Sequence, residues 1–160
     1  MRTLEIAAIL ADVDADDAYD LLSAFEQWPD WSPVIKSVRI KAARGKTIET
    51  VWSVAFLEGT LNWTEEDVFD PAHRTCRFRQ TEGDADHFCG HWSLTPFGTG
   101  CRFRFSVEFD LGLPSLSDIL EPIAEEELRD NLHSVLTGMF GDAVEFAPRT
   151  HSGAARAGTR

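Results

Sequence analysis

Basic residues are scarce in this chain. Fifteen Lys and Arg stand against 27 Asp and Glu in 160 residues, a formal net charge of −12. A surface of that sign repels phosphate backbones and anionic headgroups, which excludes non-specific binding to nucleic acid or to anionic membranes. An acidic acyl carrier protein stays admissible as a partner only through a local basic patch. Cysteine is rare too. Cys76, Cys89 and Cys101 are odd in number, which suits reduced thiols in a cytoplasmic core better than a disulfide framework. No apolar run approaches the ~20 residues of a membrane span, and the opening Met-Arg-Thr-Leu-Glu-Ile has no signal-peptide core. A cytoplasmic protein, monomer or homodimer, is expected. There is no internal repeat and no Gly-x-Ser-x-Gly elbow. Gly98-Thr-Gly100 precedes no helix, so it has no phosphate-cradling meaning.

What the chain does have is a dense aromatic corner. The run Glu26-Gln-Trp-Pro-Asp-Trp-Ser-Pro33 sets Trp28 and Trp31 beside two prolines. Each Pro fixes its own φ and biases the preceding residue away from helix, so a stiff bend is predicted. A tryptophan offers a large apolar surface and one donor. The corner reads either as a core plug or as the mouth of an apolar pocket.

With 43% hydrophobic residues the chain is long enough for one domain with a real core, placed at residues 1–147. The small, basic, aperiodic stretch 148–160 reads as a disordered tail. A strand is predicted at 4–10 and a helix capped by Asp14 over 15–25. Strands follow near 36–42, 47–56, 60–69, 75–82, 87–94 and 100–110, separated by turn-like punctuation. Short connections between consecutive strands imply an antiparallel meander. The last segment runs from Pro114 to about Phe146, with Ile119, Ile123, Leu128, Leu132, Val135 and Met139 at helical spacing. Pro122 should kink it or split off a first turn. A curved sheet burying such a helix leaves a cavity between the two.

Strand parity selects the side chains that face this cavity. Cys101, Phe103, Phe105, Val107 and Phe109 go in together, as do Cys76, Phe78 and Gln80, then Phe88, Gly90 and Trp92, and Trp52, Val54 and Phe56. Strand 60–69 is ambiguous. If Trp63 points in, parity carries Glu65 and Asp67 in with it; otherwise both carboxylates sit in water at the rim. An inward carboxylate in an apolar cavity would have a raised pKa and could move protons near neutral pH.

His87-Phe-Cys-Gly-His91 puts two imidazoles and a thiol on one strand face. Phe88 and Trp92 claim the interior and no fourth ligand is evident, so no metal is expected there. Arg77, Arg79, Arg102 and Arg104 fall on the outer face, either as a docking island for a carrier protein or paired with Glu82 and Glu108.

The Trp-Pro corner, the Gly90-His-Trp92 of one strand and the Glu108-Phe-Asp110 of another resemble the helix-grip (START-like) superfamily, in its polyketide cyclase/dehydrase and aromatase branch. The resemblance spans about residues 4–146. It implies an α+β helix-grip fold: a curved antiparallel sheet of about seven strands around a long C-terminal helix, with two short helices after the first strand. It also implies a cavity in which a carrier-tethered poly-β-ketone closes by aldol chemistry and dehydrates, with no cofactor. By the same resemblance Trp28 and Pro29 fall on the family's corner, Trp63 and Trp92 on pocket tryptophans, Phe105 on an aromatic wall and Asn131 on a polar helix position. Where the family has a serine and an arginine, this chain has Glu65 and Asp67. A second family arginine position is Gln80. A cation that would polarise a ketone is thus replaced by carboxylates.

The expected function is a cyclase or dehydratase for a polyketide-like or other reactive carbonyl compound. Glu65 is cast as general base, Asp67 nearer the mouth, and Asn131 and Gln80 as donors to the carbonyl oxygen. Trp28, Trp31, Trp52, Trp63, Phe78, Phe88, Trp92, Phe103 and Phe105 would form the binding walls. The alternative is a non-catalytic carrier of a hydrophobic small molecule such as a quinone, isoprenoid or lipid.

Overall fold

The computed structural model describes residues 1–148; the expected tail, from residue 149 on, lies outside the described residues. Strand β1 (Arg2–Leu10) leads into α1 (Ala15–Ser23), a 3₁₀ turn (Phe25–Gln27) and α2 (Trp28–Trp31). A meander follows: β2 (Ile35–Arg44), β3 (Thr47–Phe56), β4 (Gly59–Asp70), β5 (Thr75–Gly83), β6 (His87–Phe97) and β7 (Gly100–Asp110). Helix α3 (Ser117–Phe140) and β8 (Val144–Phe146) close the chain. All strands join one curved antiparallel sheet in the order β2-β3-β4-β5-β6-β7-β1-β8. No helix among the described residues is long and apolar enough to cross a membrane.

The expected cap forms at α1, where the Asp14 carboxylate accepts the N–H groups of Asp16 and Asp17 at 3.1 and 3.2 Å. The helix buries Ala15, Ala18, Tyr19 and Leu22, and Tyr19 donates to the Thr75 carbonyl at 2.8 Å.

Three expectations are corrected. The Trp-Pro corner is a helical turn rather than a bend away from helix: Trp28 has φ −55° and ψ −37°, and Pro29 occupies the first turn, where its missing N–H costs nothing. Tertiary contacts override the preference of the residue before proline. The Trp28 indole donates to the Leu22 carbonyl at 3.1 Å, and α2 presses on α3 so closely that a Cβ on Gly138 would lie 1.9 Å from the Trp31 carbonyl oxygen.

Second, the last segment is not helical to Phe146. Gly141 adopts φ +56°, donates its N–H to the Thr137 carbonyl, and turns the chain so that Val144–Phe146 pairs with Leu10–Ala8 of β1. This gives an eighth strand. Third, the helical stripe does not face the sheet along its whole length. Pro122 lies within an unbroken helix, but Ile119 and Ile123 are 63% and 48% exposed, while Ala124, Leu132, Val135 and Leu136 are buried.

Candidate functional site

Between α3, the corner and the inner sheet face lies a cavity of about 100 Å³. Trp52, Val54, Trp63, Phe78, Phe88, Trp92 and Phe105 line it, as parity requires, together with Trp28 of the corner and Phe25, Ile35, Leu128, Leu132 and Val135. Glu65 and Asn131 are its polar members. Gly90 makes room for this wall: a Cβ there would sit 2.0 Å from the Ser106 carbonyl oxygen and 2.9 Å from the Phe78 ring.

The ambiguity of β4 is resolved inward. Trp52 pairs with Trp63, Thr50 with Glu65 and Ile48 with Asp67 across β3 and β4, so the buried face of β3 fixes that of β4. Glu65 is 4% exposed and Asp67 fully buried. Trp63 Nε1 donates to Glu65 Oε1 at 2.7 Å. Thr50 Oγ1 donates to Asp67 Oδ2 at 2.6 Å and accepts from Trp52 Nε1 at 2.8 Å. Asp67 Oδ1 is buried and finds no donor among the other groups; a proton shared with the neighbouring Glu65 carboxyl would complete it.

The electrostatics agree with this arrangement. Burial lifts Glu65 well above the ordinary carboxylate range, and the hydrogen bond and charge of Asp67 lift it further, against a smaller opposing effect of the Trp63 indole. Burial raises Asp67 as well, but the hydrogen bonds from Glu65 and Thr50 pull it back. Glu65 is the more strongly raised of the two, so a proton shared by the pair is favoured on its side. The same two carboxyl groups, after burial itself, hold the Cys76 thiol un-ionised.

Several sequence expectations fall elsewhere. Asp67 is not near the mouth; it lies behind Glu65 and does not line the cavity. Gln80 stands opposite Glu65 in the β4–β5 register, but its amide donates to the Ala85 carbonyl at 2.7 Å and it is not a lining residue. Phe103 is buried opposite Ala8 and Leu94 at the end of the sheet covered by α1. Trp31 abuts Gly138 through its carbonyl and also stays out of the cavity. Asn131 does reach the cavity, with one amide hydrogen donated to the Ala55 carbonyl at 2.8 Å. Thr50 was overlooked in the sequence, although the parity of Trp52 puts it on the inner face.

Residues 11–136 match the model of the polyketide cyclase/dehydrase and lipid transport family. No curated protein matches the chain. Among solved structures it is similar to the TTHA0849 protein of Thermus thermophilus, with 22% identity, TM-score 0.79 and coverage of 89% of this chain and 97% of that one. It is also similar to the Zhui aromatase/cyclase of Streptomyces sp. R1128, with 19% identity, TM-score 0.74 and coverage of 89% and 93%. A START superfamily protein of Mycobacterium smegmatis gives 20% identity, TM-score 0.70 and coverage of 87% and 94%. These likenesses are of fold. The family match spans most of the chain, and the protein belongs to the polyketide cyclase/dehydrase and lipid transport family.

Proposed function

We propose that the cavity binds a hydrophobic, polyketide-like carbonyl compound and promotes aldol-type ring closure and dehydration, with protonated Glu65 as proton donor. The observation that carries this reading is the Glu65 carboxyl itself: buried, oriented by Trp63 and pushed upward in pKa by burial in a wall whose only other polar lining residue is Asn131. A pKa raised by burial supports a resting acid in place of the resting base expected from sequence.

In the dehydration, Glu65 gives its proton to a β-hydroxyl oxygen as the C–O bond breaks and water leaves. The α-carbon proton returns to the Glu65 carboxylate as the C=C bond forms, so the group ends as it began. Asp67 positions Glu65 without touching the substrate. The second amide hydrogen of Asn131 supplies a donor for a ketone oxygen across the cavity. The aromatic walls exclude water and hold the chain in a reactive fold.

Size shapes the reading. Ligand pockets commonly run from ~300 Å³ upward, and a cavity of ~150 Å³ admits a single benzene. A cavity of about 100 Å³ thus accepts a multi-ring substrate only after a wall moves. Trp28, half-buried at the corner, is the wall we assign to that movement. Arg77 and Arg104 form no ion pair among the described residues, and this outer-face charge supports an acyl carrier protein as the delivering partner.

The test is Glu65→Gln, which keeps shape and removes the titrating proton. Affinity for a flat aromatic ligand should stay unchanged. Turnover of a β-hydroxyketone or poly-β-ketone mimic, followed by its conjugated chromophore, should fall ~10²–10⁴-fold. A wild-type rate in that variant overturns the proposal and leaves a folding template or a carrier.

A further inference from the structure

We propose that His87, Cys89 and Glu108 form a zinc site on the outer face of the sheet, remote from the cavity. His87 and Cys89 are two apart on β6 and share its outer face, and Glu108 stands directly opposite Cys89 on β7. His87 Nε2 lies 3.0 Å from Glu108 Oε1 and 3.3 Å from Cys89 Sγ. One ligand atom from each of the three falls within 4.8 Å of the others. Tetrahedral zinc at the usual bond lengths separates its N, S and O ligands by about 3.3–3.6 Å, so small adjustments close the site. His91, the third group in the sequence motif, pairs with Arg77 and Ser106 one step along the ladder and takes no part.

Hydrogen counting supports the assignment. A single ring nitrogen faces both a carboxylate and a sulfur. If it carries hydrogen it donates to Glu108 and has no lone pair for the Cys89 thiol. If it does not, it accepts from the thiol and turns its lone pair to the carboxylate. A dication between the three groups satisfies all of them together. Thiolate and carboxylate would neutralise its charge, and imidazole with thiolate and carboxylate is a donor set that zinc accepts. Arg79, the register partner of Cys89 on β5, is already engaged by Glu66 at 3.3 Å. Three protein ligands leave the fourth position for water. The regular β6–β7 pairing holds the ligands without rearrangement.

Cobalt is the probe, because a thiolate bound to Co²⁺ gives a near-ultraviolet charge-transfer band. Cys76 and Cys101 are fully buried, so the band reports Cys89. Untagged, reduced, chelator-treated full-length protein should bind one equivalent of Co²⁺ with this band, and Zn²⁺ should displace it. Zinc should also raise the melting temperature. Cys89→Ser should abolish the band. His87→Gln and Glu108→Gln should each weaken zinc by more than the ~10–100-fold that loss of an outer-shell partner costs. All three are surface substitutions, and folding of each is checked by circular dichroism. Absence of the band in folded wild-type protein overturns the proposal. So does zinc affinity that is unchanged in His87→Gln and Glu108→Gln.

Discussion

Trp52 and Trp63 lie parallel and offset across the β3–β4 pair, with ring centroids 5.6 Å apart and planes 3° from parallel. Their indole N–H groups end on the same acid pair, Trp63 directly on Glu65 and Trp52 through Thr50 on Asp67. The stack that walls the cavity is thus also the scaffold that orients its proton.

The linking hydroxyl should be needed for stability. Thr50→Val keeps the shape but strands the Trp52 N–H and removes a donor from Asp67. Each buried polar group left unpaired costs about 1–3 kcal/mol, so urea denaturation should show a loss of roughly 2 kcal/mol or more. Thr50→Ser should recover most of it.

Folding stability should fall as pH rises. Glu65 and Asp67 both have raised folded pKa values, so the folded state favours their protonated forms. Their contribution is complete below the ordinary carboxylate pKa of ~4 and is lost as pH climbs through the raised values. Each group adds a slope of at most about 1.4 kcal/mol per pH unit. Glu65→Gln should therefore gain on wild type progressively as pH rises above the ordinary carboxylate range, in paired denaturation curves. A constant difference between the two would contradict the shift.

The corner should depend on Gly138. Gly138→Ala forces a methyl against the Trp31 backbone oxygen, and α2 must move off α3. A loss of about 1–3 kcal/mol is expected from overpacking, together with altered fluorescence from Trp28, whose indole sits in the same turn.

Ligand entry should be visible in the tryptophans. Trp28, Trp52, Trp63 and Trp92 all line the cavity, so a flat aromatic ligand should quench their emission saturably. Val54→Trp fills the space and should abolish saturation without unfolding the sheet.

Much of this was legible in the sequence, for stated reasons. The meander follows from period-two alternation and turn residues, and the inner faces of β5, β6 and β7 from their phenylalanines. What parity left open on β4 was decided across the sheet, because the buried Thr50 and Trp52 of β3 sit opposite Glu65 and Trp63. Other features depended on contacts distant in sequence. The helical Trp-Pro turn is held by α3, β8 exists because β1 offers an open edge, and Gln80 is withdrawn by a bond to the Ala85 loop. Phe103 obeys parity yet misses the cavity, since parity gives the face and not the position along the strand.

The central claim is that Glu65 rests in the cavity as a protonated acid. Infrared difference spectroscopy of wild type against Glu65→Gln at neutral pH reads this directly. The account predicts a protonated-carboxyl C=O band in wild type that is missing from the variant. A difference spectrum showing only the loss of an ionised carboxylate would contradict it.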